Sequence, residues 1–138
     1  MKTVDRVWIL AVLFAVTMAL WDTPLVYPVK VLVVLFHEVS HALAALVTGG
    51  TVERITLNPQ LGGLMTSTGG SRLVILPAGY LGSMAWGAGL VLLAAWSSWR
   101  RGVSLLLGVG LVLVTLLYVR SLFGLVSGLA FGGGLVLV

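Results

Sequence analysis

The chain has 138 residues, 8 of them basic and 4 acidic, giving a formal net charge of +4, and 59% of its residues are hydrophobic. With 9% charged residues and a mean hydropathy of +1.15, it has too little charge to cover a soluble surface, where about 25% is usual. That excludes a cytosolic globular domain and disorder alike, and places the chain in a lipid bilayer.

The sequence has no cysteine, which removes disulfides, thiolate metal sites and cysteine nucleophiles. The positive charge is small and scattered, so no nucleic-acid partner is expected. A spanning helix needs about 20 apolar residues. Residues 7–21 are apolar apart from Thr17 and follow Lys2 and Arg6. No small-x-small cleavage site follows, so this reads as a retained first span rather than a signal peptide.

Asp22, Thr23, Pro24 and Pro28 punctuate the start of a second span over 28–48, and Gly49-Gly50 stops it. Residues 51–57 and 64–68 are β-prone, and the turn chemistry of Asn58 to Gly63 lies between them. A small β-hairpin over 51–68 is expected, at the membrane surface or dipping into it. A third span covers about 73–96, with Pro77 inside and small residues at Gly79, Ser83 and Gly87 and at Ala78 and Gly82. Such spacing lets helix backbones approach closely.

Arg100 to Gly102 reads as a loop, 103–119 as a fourth span, Arg120-Ser121 as an interruption, and 122–138 as a fifth segment with Gly124, Gly128 and Gly132 on one stripe. Ending at Val138 in an apolar run, the sequence reads as part of something longer. The expected architecture is a membrane all-α protein: one domain over 1–138, a polytopic bundle of four to five spans with a small β-hairpin insertion. The positive-inside rule sets Lys2, Arg6, Arg54, Arg72 and Arg120 against Lys30, Arg100 and Arg101, with the N-terminus and the hairpin in the cytoplasm. Trp8, Trp21, Trp86, Trp96 and Trp99 read as packing and interface anchors, and Lys30 as a snorkelling side chain.

The chemistry is concentrated in one pentapeptide, His37-Glu38-Val39-Ser40-His41, which holds both histidines of the chain. Residues at i and i+4 share a helix face, so both imidazoles can bind one metal ion. His37 lies nine residues beyond Pro28, roughly 14 Å into the membrane and near its midplane. This is the H-E-x-x-H pattern: two histidine zinc ligands and a glutamate general base. Ionisable groups at that depth are expensive and by default functional. Two other readings stand beside it. The histidines can simply hydrogen-bond a neighbouring helix, or they can be axial ligands of a haem or chlorophyll metal. The i, i+4 pair suits a single small ion better than a macrocycle.

The sequence resembles the site-2 protease family of intramembrane zinc metallopeptidases, especially its compact bacterial members. The resemblance rests on Phe36 to Ala44, Thr48-Gly49-Gly50, Val52 to Ile55, Asn58-Pro59 and Ala78 to Ser83, and it covers roughly residues 25–125. It implies zinc held by His37 and His41, with Glu38 as catalytic base. It implies cleavage of membrane-protein substrates within or near the bilayer of a bacterial inner membrane. It also implies a β-segment at Thr51 to Thr68 that presents an edge strand to substrate.

The family carries a third zinc ligand, an aspartate in a later membrane segment, but no Asp or Glu follows Glu53 here. Asp5 and Asp22 fall near the membrane surfaces, and Glu53 falls in the hairpin. Two readings follow. Either the third ligand lies beyond Val138, or the chain is a catalytically degenerate relative serving as a structural subunit among partner subunits of a membrane complex.

Overall fold

The structure, a computed structural model, describes residues 3–96 and 100–137. The expected roles of Lys2 and Trp99, and the last residue of the fifth segment, Val138, lie outside the described residues. Among the described residues, five helices and one hairpin follow in order: α1 (Thr3–Ala19), α2 (Tyr27–Val47), β1 (Thr51–Leu57), β2 (Gly63–Thr68), α3 (Arg72–Trp96), α4 (Arg100–Tyr118) and α5 (Leu122–Leu137). Helices α2, α3 and α4 are long and apolar enough to cross a membrane, while α1 and α5 are shorter apolar helices. The polytopic helical architecture with a β-hairpin insertion is therefore as expected.

Internal contacts group the chain into two units, Met1–Val31 and Leu32–Val138. In the first, α1 ends in a turn where the Thr23 hydroxyl donates to the Leu20 carbonyl at 2.7 Å. The stem of Lys30, expected to snorkel to the surface, is largely covered, while its ammonium reaches the exposed Asp22. Its ammonium lies 3.8 Å from Asp22 and 4.7 Å from the centre of the Trp21 ring. A charge pair and a cation–π contact hold it there.

In the second unit, the end of α2 is a Schellman motif. Gly49 is left-handed at φ 82°, its N–H reaches the Leu46 carbonyl at 3.1 Å, and the Gly50 N–H reaches that of Ala45 at 2.8 Å. Thr48 then joins two helix ends, its hydroxyl donating to the Ala44 carbonyl at 2.7 Å and accepting from the Ser71 N–H at 3.0 Å.

The hairpin is antiparallel, with Thr51 opposite Thr68 and Leu57 opposite Gly63, and Glu53 is bulged out of register. The free edge of β1 is clasped by the joint between α4 and α5. Ile55 bridges Val119, the Arg120 N–H donates to the Ile55 carbonyl at 2.9 Å, and the Leu57 N–H donates to Ser121 Oγ at 2.9 Å. Ile55 is 0% exposed. The hairpin does not merely lie at the surface: Ile55 and Leu57 pack in one core with Leu35, Phe36, Val39 and Ala42 of α2 and with Leu111 and Val119.

The turn Asn58 to Gly62 is closed by Asn58, whose Oδ1 accepts from the Gly62 N–H and whose own N–H donates to the Gly62 carbonyl, both at 2.9 Å. Leu61 within it has φ 63°, a left-handed conformation that costs a non-glycine residue about 1–2 kcal/mol.

Lipid is as apolar as leucine, so helices in a bilayer gain little from hydrophobic burial and associate by close packing. The 124/128/132 stripe does this: all three glycines are buried, with Gly128 against Thr115 and Gly132 against Val112 of α4. The stripe on α3 is different. Gly79 and Gly82 face the side chains of α2, while Gly87 has nothing within 4 Å of where a Cβ would stand.

Candidate metal centre

His37 is the central residue of the 21-residue α2. The i, i+4 spacing turns both imidazoles to one face, and their Nε2 atoms stand 3.1 Å apart. His41 Nδ1 lies 2.6 Å from the main-chain carbonyl of Ile75 on α3. A carbonyl only accepts, so the proton of this ring sits on Nδ1, and the Nε2 lone pair faces the gap between the rings. The His37 ring is held differently. It meets His41 edge-on at 4.7 Å and 81°, and Tyr80 at 4.8 Å and 84°.

Glu38 is 5% exposed. The Met65 main-chain N–H donates to its carboxylate, tying the motif helix to β2. Gly63 makes this approach possible, because a Cβ there would fall on Glu38, 2.7 Å from its Cγ. A cleft of about 350 Å³ opens beside these groups, lined by Val33, Val34, His37, Glu38, Leu61, Gly63 and Tyr80.

The far side of the motif is braced by α3. Trp86 stacks on Phe36 with centroids 5.3 Å apart and planes 19° from parallel. Its indole N–H donates to Ser40 Oγ at 3.2 Å, and that hydroxyl donates to the Phe36 carbonyl at 2.7 Å. Gly82 presses directly on Ser40. Trp86 thus packs, as expected, as a strut behind the motif.

The donor set suits zinc. Two Zn–N bonds of about 2.0–2.1 Å at a tetrahedral angle put the nitrogens about 3.3 Å apart, close to the 3.1 Å found. Gly79 of α3 leaves that space open, since a Cβ there would overlap both Nε2 atoms. Among the described residues no third His, Cys, Asp or Glu joins the pair. Glu53 is engaged elsewhere, accepting a hydrogen bond from the Thr68 hydroxyl on the exposed hairpin. The structure therefore brings His37, Glu38 and His41 to one place. It adds four groups that the sequence reading did not assign to the site: the Ile75 carbonyl, Tyr80, Gly63 and the Trp86–Ser40 pair. Of these, only Tyr80 lies in the Ala78 to Ser83 segment that the resemblance singled out, and Ser40 lies in the pentapeptide itself.

No curated protein and no solved structure is significantly similar to the chain. A family model described as peptidase M50B-like matches residues 9–138. With a membrane-length helix carrying the H-E-x-x-H motif at its centre, this is an integral membrane protein, and the chain belongs to the peptidase M50B-like family of site-2 protease relatives.

Proposed function

We propose that the protein is a zinc-dependent endopeptidase of a bacterial inner membrane that cleaves other membrane proteins within or beside the bilayer. The observation that carries this reading is the convergence of the two imidazole Nε2 atoms, 3.1 Å apart, beside a buried glutamate at the middle of a membrane-length helix. His37 and His41 would hold the ion. Bound there, zinc supplies Lewis acidity and brings the acidity of water to near neutral pH.

Glu38 does the proton work. Its carboxylate, positioned by the Met65 N–H, takes the proton of the attacking water and returns it to the leaving amine. At 5% exposure, packed against Gly63 of β2, this carboxylate sees little bulk water, which strengthens its electrostatic interactions.

Substrate has a place to lie. Among the described residues the sheet has two strands, and β1 has its outer edge clasped, so β2 offers the open edge. A groove of about 550 Å³ runs along it, between Leu64 to Ser67 and Arg72, Ile75 and Leu76 of α3. An extended peptide can add there as a strand. Leu64 of the groove directly follows Gly63 of the Glu38 cleft, so a peptide on β2 leads to the motif.

The test is purification with elemental analysis, followed by cleavage of a co-reconstituted single-span substrate. Glu38→Gln should keep zinc and lose at least about 10²–10⁴-fold in turnover. His37→Ala should lose zinc and turnover together. Wild-type protein that binds no zinc and cleaves nothing would overturn the proposal and leave the structural-subunit reading.

A further inference from the structure

Leu61 is the one non-glycine residue with positive φ among the described residues. A leucine rarely adopts that conformation, and glycine adopts it freely. Glycine is present next door, at Gly62 and Gly63, where it meets other demands. A Cβ at 62 would stand 2.7 Å from Asn58 Nδ2, and one at 63 would fall on Glu38. The strained position itself carries a bulky aliphatic chain.

Core packing does not account for it. Leu61 belongs neither to the buried core cluster nor to the partly buried hydrophobics packed against it. It lines the cleft instead, half-buried, with Val33 and Val34 as the other aliphatic walls and with Glu38, His37 and Tyr80. Backbone strain held at a site wall, outside the core, is the pattern of a functional position.

We propose that Leu61 is a specificity-determining residue: its side chain is the wall against which the substrate residue flanking the cleaved bond packs. This rests on the peptidase reading above. The cleft of about 350 Å³ must hold the peptide unit under attack, the water and that side chain together. Leu61 takes up one side of that space, so it favours a short aliphatic side chain there over an aromatic one. The hairpin turn sets which bonds are cut, while α2 supplies the chemistry.

The test uses the full chain, reconstituted with a single-span membrane substrate whose cleavage point is mapped by mass spectrometry. The flanking residue is then varied through Ala, Val and Phe. Leu61→Gly and Leu61→Ala both widen the cleft, but only glycine relieves the backbone. Both variants should raise the rate on Phe relative to Ala by at least about tenfold, since even one methylene in such a pocket is worth about 10–200-fold. Leu61→Gly should melt no lower than wild type and higher than Leu61→Ala. An unchanged Phe-to-Ala ratio in both variants, with wild type active, overturns the assignment and leaves the peptidase reading intact. So does a glycine variant that melts below wild type, because the side chain would then be serving the fold. If wild type cleaves none of the series, the peptidase reading falls and this assignment with it.

Discussion

Gly79→Ala places one methyl group where the two histidines meet. A Cβ at that position would lie 2.5 Å from His37 Cε1 and would overlap both Nε2 atoms. Carbon contacts settle at about 3.5–4.0 Å, so the rings must retreat by about 1 Å. Metal–ligand distances tolerate roughly 0.2 Å. The retreat therefore breaks the site even though both ligands remain. Outer contacts that merely orient a ligand change affinity by about 10–100-fold, and zinc affinity should fall by at least tenfold. Stability should change much less. Alanine gains about 0.8–1 kcal/mol over glycine within a helix, against an overpacking cost of about 1–3 kcal/mol, a net loss of roughly 0–2 kcal/mol. Gly87→Ala is the matched control on the same helix, with nothing within 4 Å of the new methyl group, and should leave zinc binding unchanged. The assay is competition for zinc against a chromophoric chelator in detergent, with a thermal melt of each variant. Undiminished zinc affinity in Gly79→Ala would refute the idea that α3 frames a metal between the imidazoles.

Gly128→Leu should separate α5 from α4, because even a Cβ there would stand 2.7 Å from Thr115 Cγ2; a loss of at least about 1–3 kcal/mol should appear as a lowered melting temperature. Ser121→Ala removes the hydroxyl that receives the Leu57 N–H and should cost about 1–3 kcal/mol for the unsatisfied donor, read by faster hydrogen exchange at Leu57.

Much of this architecture is legible in the sequence because apolar length and turn residues are local signals. Gly49-Gly50 marks the end of α2 through its own backbone demands, and Asn58 to Gly63 marks the hairpin turn in the same way. The i, i+4 spacing was enough to expect both imidazoles on one face, where the structure has them. The partners of that face were not legible, because they arrive from distant parts of the chain. Ile75 lies 34 residues beyond His41, and it acts through its main chain, which leaves no mark in residue identity. The glycine stripes show a related limit. Spacing on α3 predicts a row through Gly79, Ser83 and Gly87, yet Gly79 meets α2 while Gly87 meets nothing. Which small residues touch a neighbour depends on how that neighbour crosses, and no single helix encodes this.

The clasp of residues 119–121 on β1 also orders events during synthesis. The strand that Val119 bridges and Ser121 caps lies 64 residues earlier in the chain, counted from Leu57 to Ser121. Chains emerge at about 5–20 residues per second, N-terminal parts first, so β1 waits several seconds for its outer partner. Until then one edge of the hairpin is bare, and Ile55 has no lid. Glu38 is held through Met65, which pairs with Ile55 across the sheet. The sheet that carries Met65 therefore gains its outer backbone partner only after the joint between α4 and α5 has been made. A nascent chain arrested before Ser121 would carry the complete H-E-x-x-H pentapeptide beside a hairpin whose outer edge is still unpaired.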